Sequence, residues 1–388
     1  MRRVAIVGAG QAGSLLAVGL RRQGYDVTLY SDRPALGMRD DVPPTGTAAI
    51  FAEAIEVERR LGVETYEDRF VPTDAVHLFF CPKIGTELVH FGAPLEEASA
   101  AAVDVRLKSY DRMVLLEQLG GKLVVQTVSL DDLDAIAADH DLTFVSTGKG
   151  GLADLFPRDG VRSVYDRPQR NLAMLVVRGI PTDGTAFPHR VPGHTPVCFN
   201  LFGGAGEMFW VPYLHKTEGR CWNIVFEPRE GSPFDRFGET RSLEERFEMA
   251  RRTVKEFTPW DWDTMKDMEP VPGDPFASVV GRVTPTVRAP AGTTRSGHLV
   301  MSLGDTSVAY DPVGGQGAGS GTRQAGYYCD AIVERADRAF DRQWIERTFE
   351  GFWSWHASGA YRFNNVLLEP LDATGIKVMK ACFASPKT

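Results

Sequence analysis

The sequence predicts an α/β protein in two parts, a parallel-sheet nucleotide-binding domain and a second, antiparallel-sheet domain inserted within it. Three observations carry this. The chain opens on a strand, glycine loop, helix and strand between Met1 and Tyr30. Two more apolar strands, far downstream, each end in a glycine-rich turn. Residues 165–285 turn into aromatic, strand-like runs broken by Gly and Pro. At 388 residues the chain is long for one domain and comfortable for two that share a core.

Val4-Ala5-Ile6-Val7 has the composition of a buried parallel strand. It runs into Gly8-Ala9-Gly10-Gln11-Ala12-Gly13, a complete G-x-G-x-x-G. In such a loop the first glycine makes the tight turn, the second admits a pyrophosphate to the backbone, and the third lets helix and strand pack closely. Leu15, Leu16, Val18 and Leu20 continue at helical spacing, and Asp26–Tyr30 is the second strand. A helix start offers phosphate its unpaired N–H groups and the positive end of its dipole. The flanking strand and helix make this loop a Rossmann-like dinucleotide site. In Ser31-Asp32-Arg33-Pro34, Asp32 is the candidate for the ribose hydroxyls. Residues 34–47 are rich in Pro, Gly and Asp and read as irregular, and Phe51–Leu61 as helical.

Ala75–Cys81 and Glu87–Phe91, separated by Pro82-Lys83-Ile84-Gly85, predict a hairpin that interrupts the nucleotide domain. His77 and His90 stand alone there and read as packed or surface residues. The nucleotide domain resumes with a helix over Val105–Leu119, a strand over Lys122–Gln126, a short acidic helix over Asp131–Ala138 and a strand over Leu142–Ser146. That last strand delivers Thr147-Gly148-Lys149-Gly150-Gly151. Runs at 172–177, 195–202, 208–214 and 221–226 predict one antiparallel sheet, with a helix over Leu243–Phe257 behind it. This part reads as a substrate domain, in which Phe199, Phe202, Phe209, Trp210 and Trp222 either line a pocket or pack a core. Finally, strand His298–Leu303 ends in Gly304-Asp305, and Asp311-Pro312-Val313-Gly314-Gly315-Gln316-Gly317-Ala318-Gly319 opens a helix through Ile332. The expected boundaries are 1–70, 101–160 and 286–388 for the nucleotide domain, and 71–100 and 161–285 for the substrate domain. Residues 340–388 read as helices packed on the first.

Two glycine-rich helix starts, roughly three hundred residues apart, do not suit one mononucleotide phosphate. A long ligand with a central pyrophosphate and a second polar ring system would use both. FAD fits that description. The bulk numbers agree with a soluble enzyme of small molecules. A net charge of −8 argues against nucleic acid or an anionic membrane as main partner. No apolar run reaches membrane-spanning length. The five cysteines are odd in number, scattered and without C-x-x-C, which suits neither a disulfide framework nor a metal and predicts a cytoplasmic home.

These motifs, in this order and at these distances, resemble the flavoprotein monooxygenases of the aromatic-hydroxylase fold. Within them, Tyr30-Ser31-Asp32-Arg33, Val103-Asp104-x-Arg106-Leu107, Thr147-Gly148-Lys149 and Asp311-Pro312-Val313 are most similar to the styrene/indole monooxygenase group. The likeness covers nearly the whole chain. It implies that Gly8, Ala9, Gly10, Gln11, Ala12 and Gly13 take the FAD pyrophosphate and Asp32 and Arg33 the adenosine end, with Ser31 and Val128 also among the cofactor-binding residues. Arg106 would steady the cofactor from between the domains, with Thr147 and Gly148 nearby. Gly304 and Asp305 would meet the ribityl chain, and Pro312, Gly314, Gly315, Gln316, Gly317 and Ala318 would lie along the pyrimidine side of the ring.

Single-component aromatic hydroxylases carry Asp-Gly where this chain has Thr147-Gly148, a pair implicated in NAD(P)H use. The styrene/indole group similarly lacks that Asp and takes reduced FAD from a separate reductase. The resemblance therefore implies a two-component oxygenase, a homodimer, that uses O₂ and reduced FAD through a C4a-hydroperoxide and has no protein general base. Thr45, Thr47 and Ala49 stand where the group's flavin-facing substrate residues lie, and match neither the styrene nor the indole pattern. With Trp210, Pro312 and Val313 they form the expected substrate set. Indole, free or within a larger natural product and attacked at C2=C3, is the expected substrate, with styrene-like alkenes on the side. The alternatives are a single-component NAD(P)H-dependent hydroxylase, a flavin halogenase, and a non-catalytic flavin-fold binding protein. Against a halogenase, Trp353-Ser354-Trp355 lacks the continuation of that group's Trp-x-Trp-x-Ile-Pro run.

Overall fold

The computed structural model describes residues 1–86, 88–95, 100–148 and 150–384. The chain starts β1 (Arg3–Val7), α1 (Gln11–Arg22) and β2 (Asp26–Ser31), as the glycine loop dictates. Next come α2 (Ala35–Asp40), β3 (Ala49–Ile50) and α3 (Ala52–Arg60). The helix α2 corrects the expectation of an irregular 34–47 segment over its first half, while 41–47 stay irregular. Ala35 and Met38 pack on the nucleotide-domain core, and that contact outweighs the local Pro and Gly signals. The hairpin is β4 (Ala75–Cys81) with β5 (Val89–Pro94), followed by β6 (Ala101–Ala102). Glu87, expected in its second strand, and Lys149 lie outside the described residues.

The first sheet is completed by β7 (Lys122–Val125), β8 (Leu142–Val145), β16 (Ala291–Thr293) and β17 (Leu299–Ser302). Between these come α4 (Val105–Gln118) and α5 (Leu130–Asp139). The sheet order is β16-β17-β8-β1-β2-β7, parallel except for the β16–β17 edge. Because side chains alternate across a strand, Val4 and Ile6 face the core made with α1 and α4, while Ala5 and Val7 face α5. Both faces are thus buried, which is what an apolar run without alternation demands. All parallel strands deliver their carboxyl ends to one edge, where ligands of open α/β sheets bind.

The second sheet holds β4, β5, β9 (Asn171–Arg178), β10 (Pro196–Phe202), β11 (Gly206–His215), β12 (Gly219–Pro228), β13 (Glu269–Pro270) and β14 (Ser278–Arg282). Its order is β13-β9-β12-β11-β10-β4-β5, with β14 also on β9. It is not wholly antiparallel as expected, because β10 pairs with β4 in parallel. The early hairpin joins the sheet beside β10, and strands so distant in sequence need no tight turn between them. One face packs against α6 (Leu243–Phe257) and α7 (Trp262–Met265), burying Trp210, Trp222 and Phe226. The other face, with Phe209, Val211, Tyr213 and Val225, looks toward β3 and β6 of the nucleotide-binding part.

The pair β15 (Thr286–Val287) and β18 (Val308–Ala309) leads to α8 (Gln316–Arg335), α9 (Arg342–Phe352), α10 (Ser358–Leu368) and α11 (Ala373–Ala384). A π-helical turn, Trp353–Ala357, joins α9 to α10. Trp344, Ile345, Phe352 and Ala357 belong to the same core as α1 and the first sheet. Cys81, Cys198, Cys221 and Cys329 are buried free thiols. Among the described residues no helix is long and apolar enough to cross a membrane, and no His/Cys/Asp/Glu group could hold a metal.

Candidate active site

The three glycines of the first loop each have a measurable task. Gly8 has φ +114°, and a Cβ there would strike the carbonyl of Ser146. A Cβ on Gly13 would overlap the carbonyl oxygen of Gly8, so helix and loop are packed to the limit. Around Gly10 nothing lies within 4 Å of the Cβ position, leaving room for a ligand against the backbone. No side chain caps α1, so the N–H groups of Gln11, Ala12 and Gly13 keep the orphan character of a helix start. Ser14 instead donates its N–H and its hydroxyl to the Gly10 carbonyl.

A charge cluster that sequence reading missed lies behind this loop. Arg112 donates to the carbonyl of Gln11 (2.9 Å) and to Glu58 (2.6 Å), and Lys108 donates to both Glu58 oxygens (2.9 Å). Gln11 donates to the same Glu58 (3.1 Å). Lys108 and Glu58 are 0 % and 1 % exposed. Burial raises the Glu58 pKa, but Lys108 and Arg112 together bring it below the ordinary carboxylate value. The i, i+4 spacing of Lys108 and Arg112 on α4 was visible, but their partner fifty residues upstream was not.

The second glycine loop stands beside the first. Gln11 Nε2 reaches Thr322 Oγ1 of α8 (3.0 Å), and a Cβ on Gly304 or Gly321 would meet Ala12. The sequence suggests a loop whose backbone N–H groups face a ligand, yet three of them are already taken. Val313 N–H donates to Asp311, Gly314 N–H to Asn364 Oδ1 (3.2 Å), and Gly315 N–H to the Pro312 carbonyl. Gly315 at φ +61° then aims the chain into α8, whose start no side chain caps. The open donors are those of Gln316, Gly317 and Ala318. The Gln316 side chain turns back to the Gly314 carbonyl (2.8 Å). Pro312 is half-buried and Val313 buried.

The turns after β8 and β17 are stitched together. Thr306 Oγ1 accepts from Gly148 N–H (3.0 Å) and donates to the Gly148 carbonyl (2.9 Å), placing Thr147, Gly148, Gly304 and Asp305 on one edge. At the end of β2, Ser31 is buried, whereas the half-exposed Asp32 carboxylate is paired with Arg33. The hydrogen bond from Arg33 holds that carboxyl below its usual range. Val128 packs beside Tyr30 on the neighbouring core.

Two expected site residues are placed otherwise. Arg106 is 1 % exposed and spends its donors inside the protein, on Asp104 (2.7 and 2.9 Å), Asp274 (2.9 Å) and the Val42 carbonyl. It ties the start of α4 to the connection between β13 and β14 and to the segment after α2. Trp210 points to the α6 face and donates its indole N–H to buried Asp261 (2.8 Å). It is core, because strand alternation puts Phe209 and Val211, not Trp210, on the face toward the loops.

That face meets the 45–49 segment. Ala49 packs against it, and the Thr47 hydroxyl lies 3.0 Å from Asn223 Oδ1. Asn223 is fully buried on β12, flanked by Val176 and Val211 of the adjacent strands, and its Nδ2 has no partner. The segment holds Ala48 at φ +53°, a conformation costing an alanine of order 1 kcal/mol.

Comparison with known proteins joins this geometry to a class. Residues 148–263 match the family described as “Styrene monooxygenase A putative substrate binding domain”, and residues 6–41 match an NAD(P)-binding Rossmann-like domain. The chain superposes on CmlS, a flavin-dependent halogenase (TM-score 0.64, 15 % identity, all of this chain and 71 % of that one). It superposes as well on 2-methyl-3-hydroxypyridine-5-carboxylic acid oxygenase (TM-score 0.62, 16 % identity, covering 100 % and 94 %). At such identities the likeness shows the fold alone. Fold and sequence matches together define an FAD-dependent monooxygenase with a Rossmann-like cofactor domain. More particularly, the chain resembles the styrene monooxygenases. It is 28 % identical over 383 residues to styrene monooxygenase StyA of Pseudomonas fluorescens, covering 96 % of this chain and 86 % of that protein. It is likewise 28 % identical over 326 residues to StyA of a Pseudomonas species, covering 82 % and 74 %.

FAD fits the residues present. The empty space at Gly10 admits a pyrophosphate, and two uncapped helix starts side by side offer donors to its phosphates and to a ring beyond.

Proposed function

We propose that this chain is the oxygenase of a two-component system, receiving reduced FAD from a separate reductase and transferring one oxygen of O₂ to the C2=C3 bond of indole or an indole-bearing natural product. The observation that carries the reading is the meeting of three parts at one sheet edge: two uncapped helix starts and an apolar sheet wall. Gly8–Gly13 would hold the pyrophosphate, Ser31–Arg33 and Val128 the adenosine end, Thr147, Gly148, Gly304 and Asp305 the middle, and Pro312–Ala318 the ring. The parts around the first and second sheets then act as cofactor and substrate domains, and the resemblance supports a homodimer.

Bound reduced FAD would supply the two electrons that activate O₂, one oxygen atom of which goes to the substrate and the other to water. The protein supplies position, dryness and charge. N–H groups of Gln316–Ala318 and the α8 dipole favour negative charge on the ring. Phe209, Val211, Val176 and Val225 form a water-excluding wall for an aromatic substrate. Thr47 and Asn223 are the polar groups beside that wall, and either the amide oxygen or the threonine hydroxyl can accept an indole N–H. Small Thr45, Thr47 and Ala49 leave room for a substrate bulkier than styrene. Thr147, where single-component hydroxylases carry Asp, supports an external supply of reduced flavin.

The test omits pyridine nucleotide. Purified protein is mixed anaerobically with chemically reduced FAD and indole, and air is admitted. Oxygenated indole, seen by chromatography or as indigo, is the expected result. Bleaching of a tightly bound flavin by NADPH, with no product from free reduced FAD, would overturn the reading in favour of the single-component hydroxylase.

A further inference from the structure

Behind the second glycine loop lies a group of acids that nothing so far uses. Strand β12 presents Asn223, Val225 and Glu227 on one face, at the two-residue period of a strand. Asn223 and Val225 belong to the proposed substrate wall, so Glu227 continues it toward the loop. Glu227 is 0 % exposed, and neither carboxylate oxygen has a hydrogen-bond donor. Its electrostatic and hydrogen-bonding neighbour is Asp311, also 0 % exposed, at the residue that starts the Pro312–Gly315 turn. One Asp311 oxygen accepts the Val313 N–H (3.2 Å), and the other has no donor.

The neighbours offer no relief. Glu207, paired with Glu227 across β11 and β12, takes Nε and Nη2 of Arg170 (2.6 and 3.0 Å). The rest of Arg170 goes to the carbonyls of Gln169 and Leu368, and Arg229 beyond it donates to the Leu368 carbonyl as well. From α10, Asn364 reaches Gly314, not the acids. Two buried carboxylates that present acceptors to one another without a donor are stable only if a proton stands between them.

We propose that Glu227 and Asp311 share one buried proton, and that this proton sets the charge behind the flavin loop so that the anionic reduced ring is accepted there. The second half rests on the FAD reading above. With the proton in place the group of Glu227, Asp311, Glu207 and Arg170 carries one net negative charge, and without it two. The added charge opposes an anionic ring at Gln316–Ala318 while leaving neutral oxidised FAD almost untouched. Burial raises the pKa of both acids, Asp311 to about 6 and Glu227 well above its ordinary value. Asp311 and Glu207 push Glu227 further up and Glu207 pushes Asp311 up, whereas the Val313 N–H and the hydrogen bond with Glu227 pull Asp311 down. Arg170 works against the rise in both. A proton held more tightly in the folded state is lost as pH rises, so preference for reduced FAD falls toward alkaline pH.

The test has two readouts. Infrared spectra of the protein without FAD report a protonated carboxylic acid at neutral pH, a band that disappears in Glu227→Gln. Affinities for reduced and oxidised FAD are then measured across the pH range in which that band titrates. The wild-type preference for reduced FAD falls by about tenfold over the range. In Glu227→Gln it stays flat, because the amide N–H permanently supplies the missing donor to Asp311. Asp311→Asn serves the same purpose if the first variant does not fold. Absence of the protonated band, or a wild-type pH profile retained in the variants, overturns the proposal. A band with no binding of FAD by any form overturns the flavin reading, and with it the second half alone.

Discussion

Helices α1 and α8 start side by side at one sheet edge, both glycine-rich and both uncapped, yet the charges behind them are opposite. Behind α1, two cations surround one anion: Lys108 and Arg112 on Glu58. Behind α8, three acids share one arginine: Glu227, Asp311 and Glu207 near Arg170. A pyrophosphate is always anionic, whereas a flavin ring carries charge only when reduced. Backbone N–H groups thus decide where a ligand group sits, and the buried side chains behind them decide which charge it is allowed.

The largest effect is expected at the first helix. Gly13→Ala forces a Cβ into the Gly8 carbonyl and should cost about 3 kcal/mol. Urea unfolding checks this, and an unchanged midpoint would mean that loop and helix are not locked. Glu58→Gln is expected to cost a similar or slightly smaller amount, ~3 kcal/mol, by leaving Lys108 and Arg112 buried without an anion. Its sign with pH is also defined. The Glu58 pKa is lowered by folding, so its contribution is full above the ordinary carboxylate range and fades as pH falls through the folded value. Wild type should therefore lose stability toward acid more steeply than Glu58→Gln, a difference that unfolding at several pH values would reveal or refute.

A matched pair separates binding from folding. Gly10→Ala fills only open space, at φ −70°, so stability should stay within ~0.5 kcal/mol. FAD affinity, read by flavin fluorescence, should fall at least tenfold (about 1.4 kcal/mol). Gly317→Ala also meets nothing within 4 Å and sits in a helix, so it should gain up to ~1 kcal/mol in stability. Its penalty on FAD should be smaller than that of Gly10→Ala, because a ring contact is lost instead of a phosphate contact. Equal penalties would remove the distinction between the two helix starts. The smallest effect belongs to Thr47→Val, which deletes the bond to Asn223 at a cost of ~1 kcal/mol. It should change KM for the aromatic substrate a few-fold and leave FAD affinity alone.

Much of the cofactor edge was legible in the sequence because its signals are local. Gly8, Gly10 and Gly13 act within six residues, and Val4–Val7 is followed by the helix it requires. Where contacts are distant, legibility ended. Trp210 was expected at the substrate because aromatic strands suit pockets as well as cores, and only sheet pairing shows which face it occupies. Arg106 carries a family motif, yet its partner Asp274 stands on a connection 168 residues later. Asp311 was visible within its motif, but Glu227, its neighbour in space, lies on a strand with no signal of its own.

The sequence by itself determined the strand–loop–helix units, the pair of glycine-rich helix starts and the FAD-dependent class, since short-range backbone geometry and periodic burial suffice for these. Only the tertiary structure decided which face of the second sheet meets the loops, which loop N–H groups stay open, and which sign of charge lies behind each helix. Those depend on burial and on pairings between residues far apart in the chain, where desolvation makes each ion or acid answerable to whatever the fold places beside it.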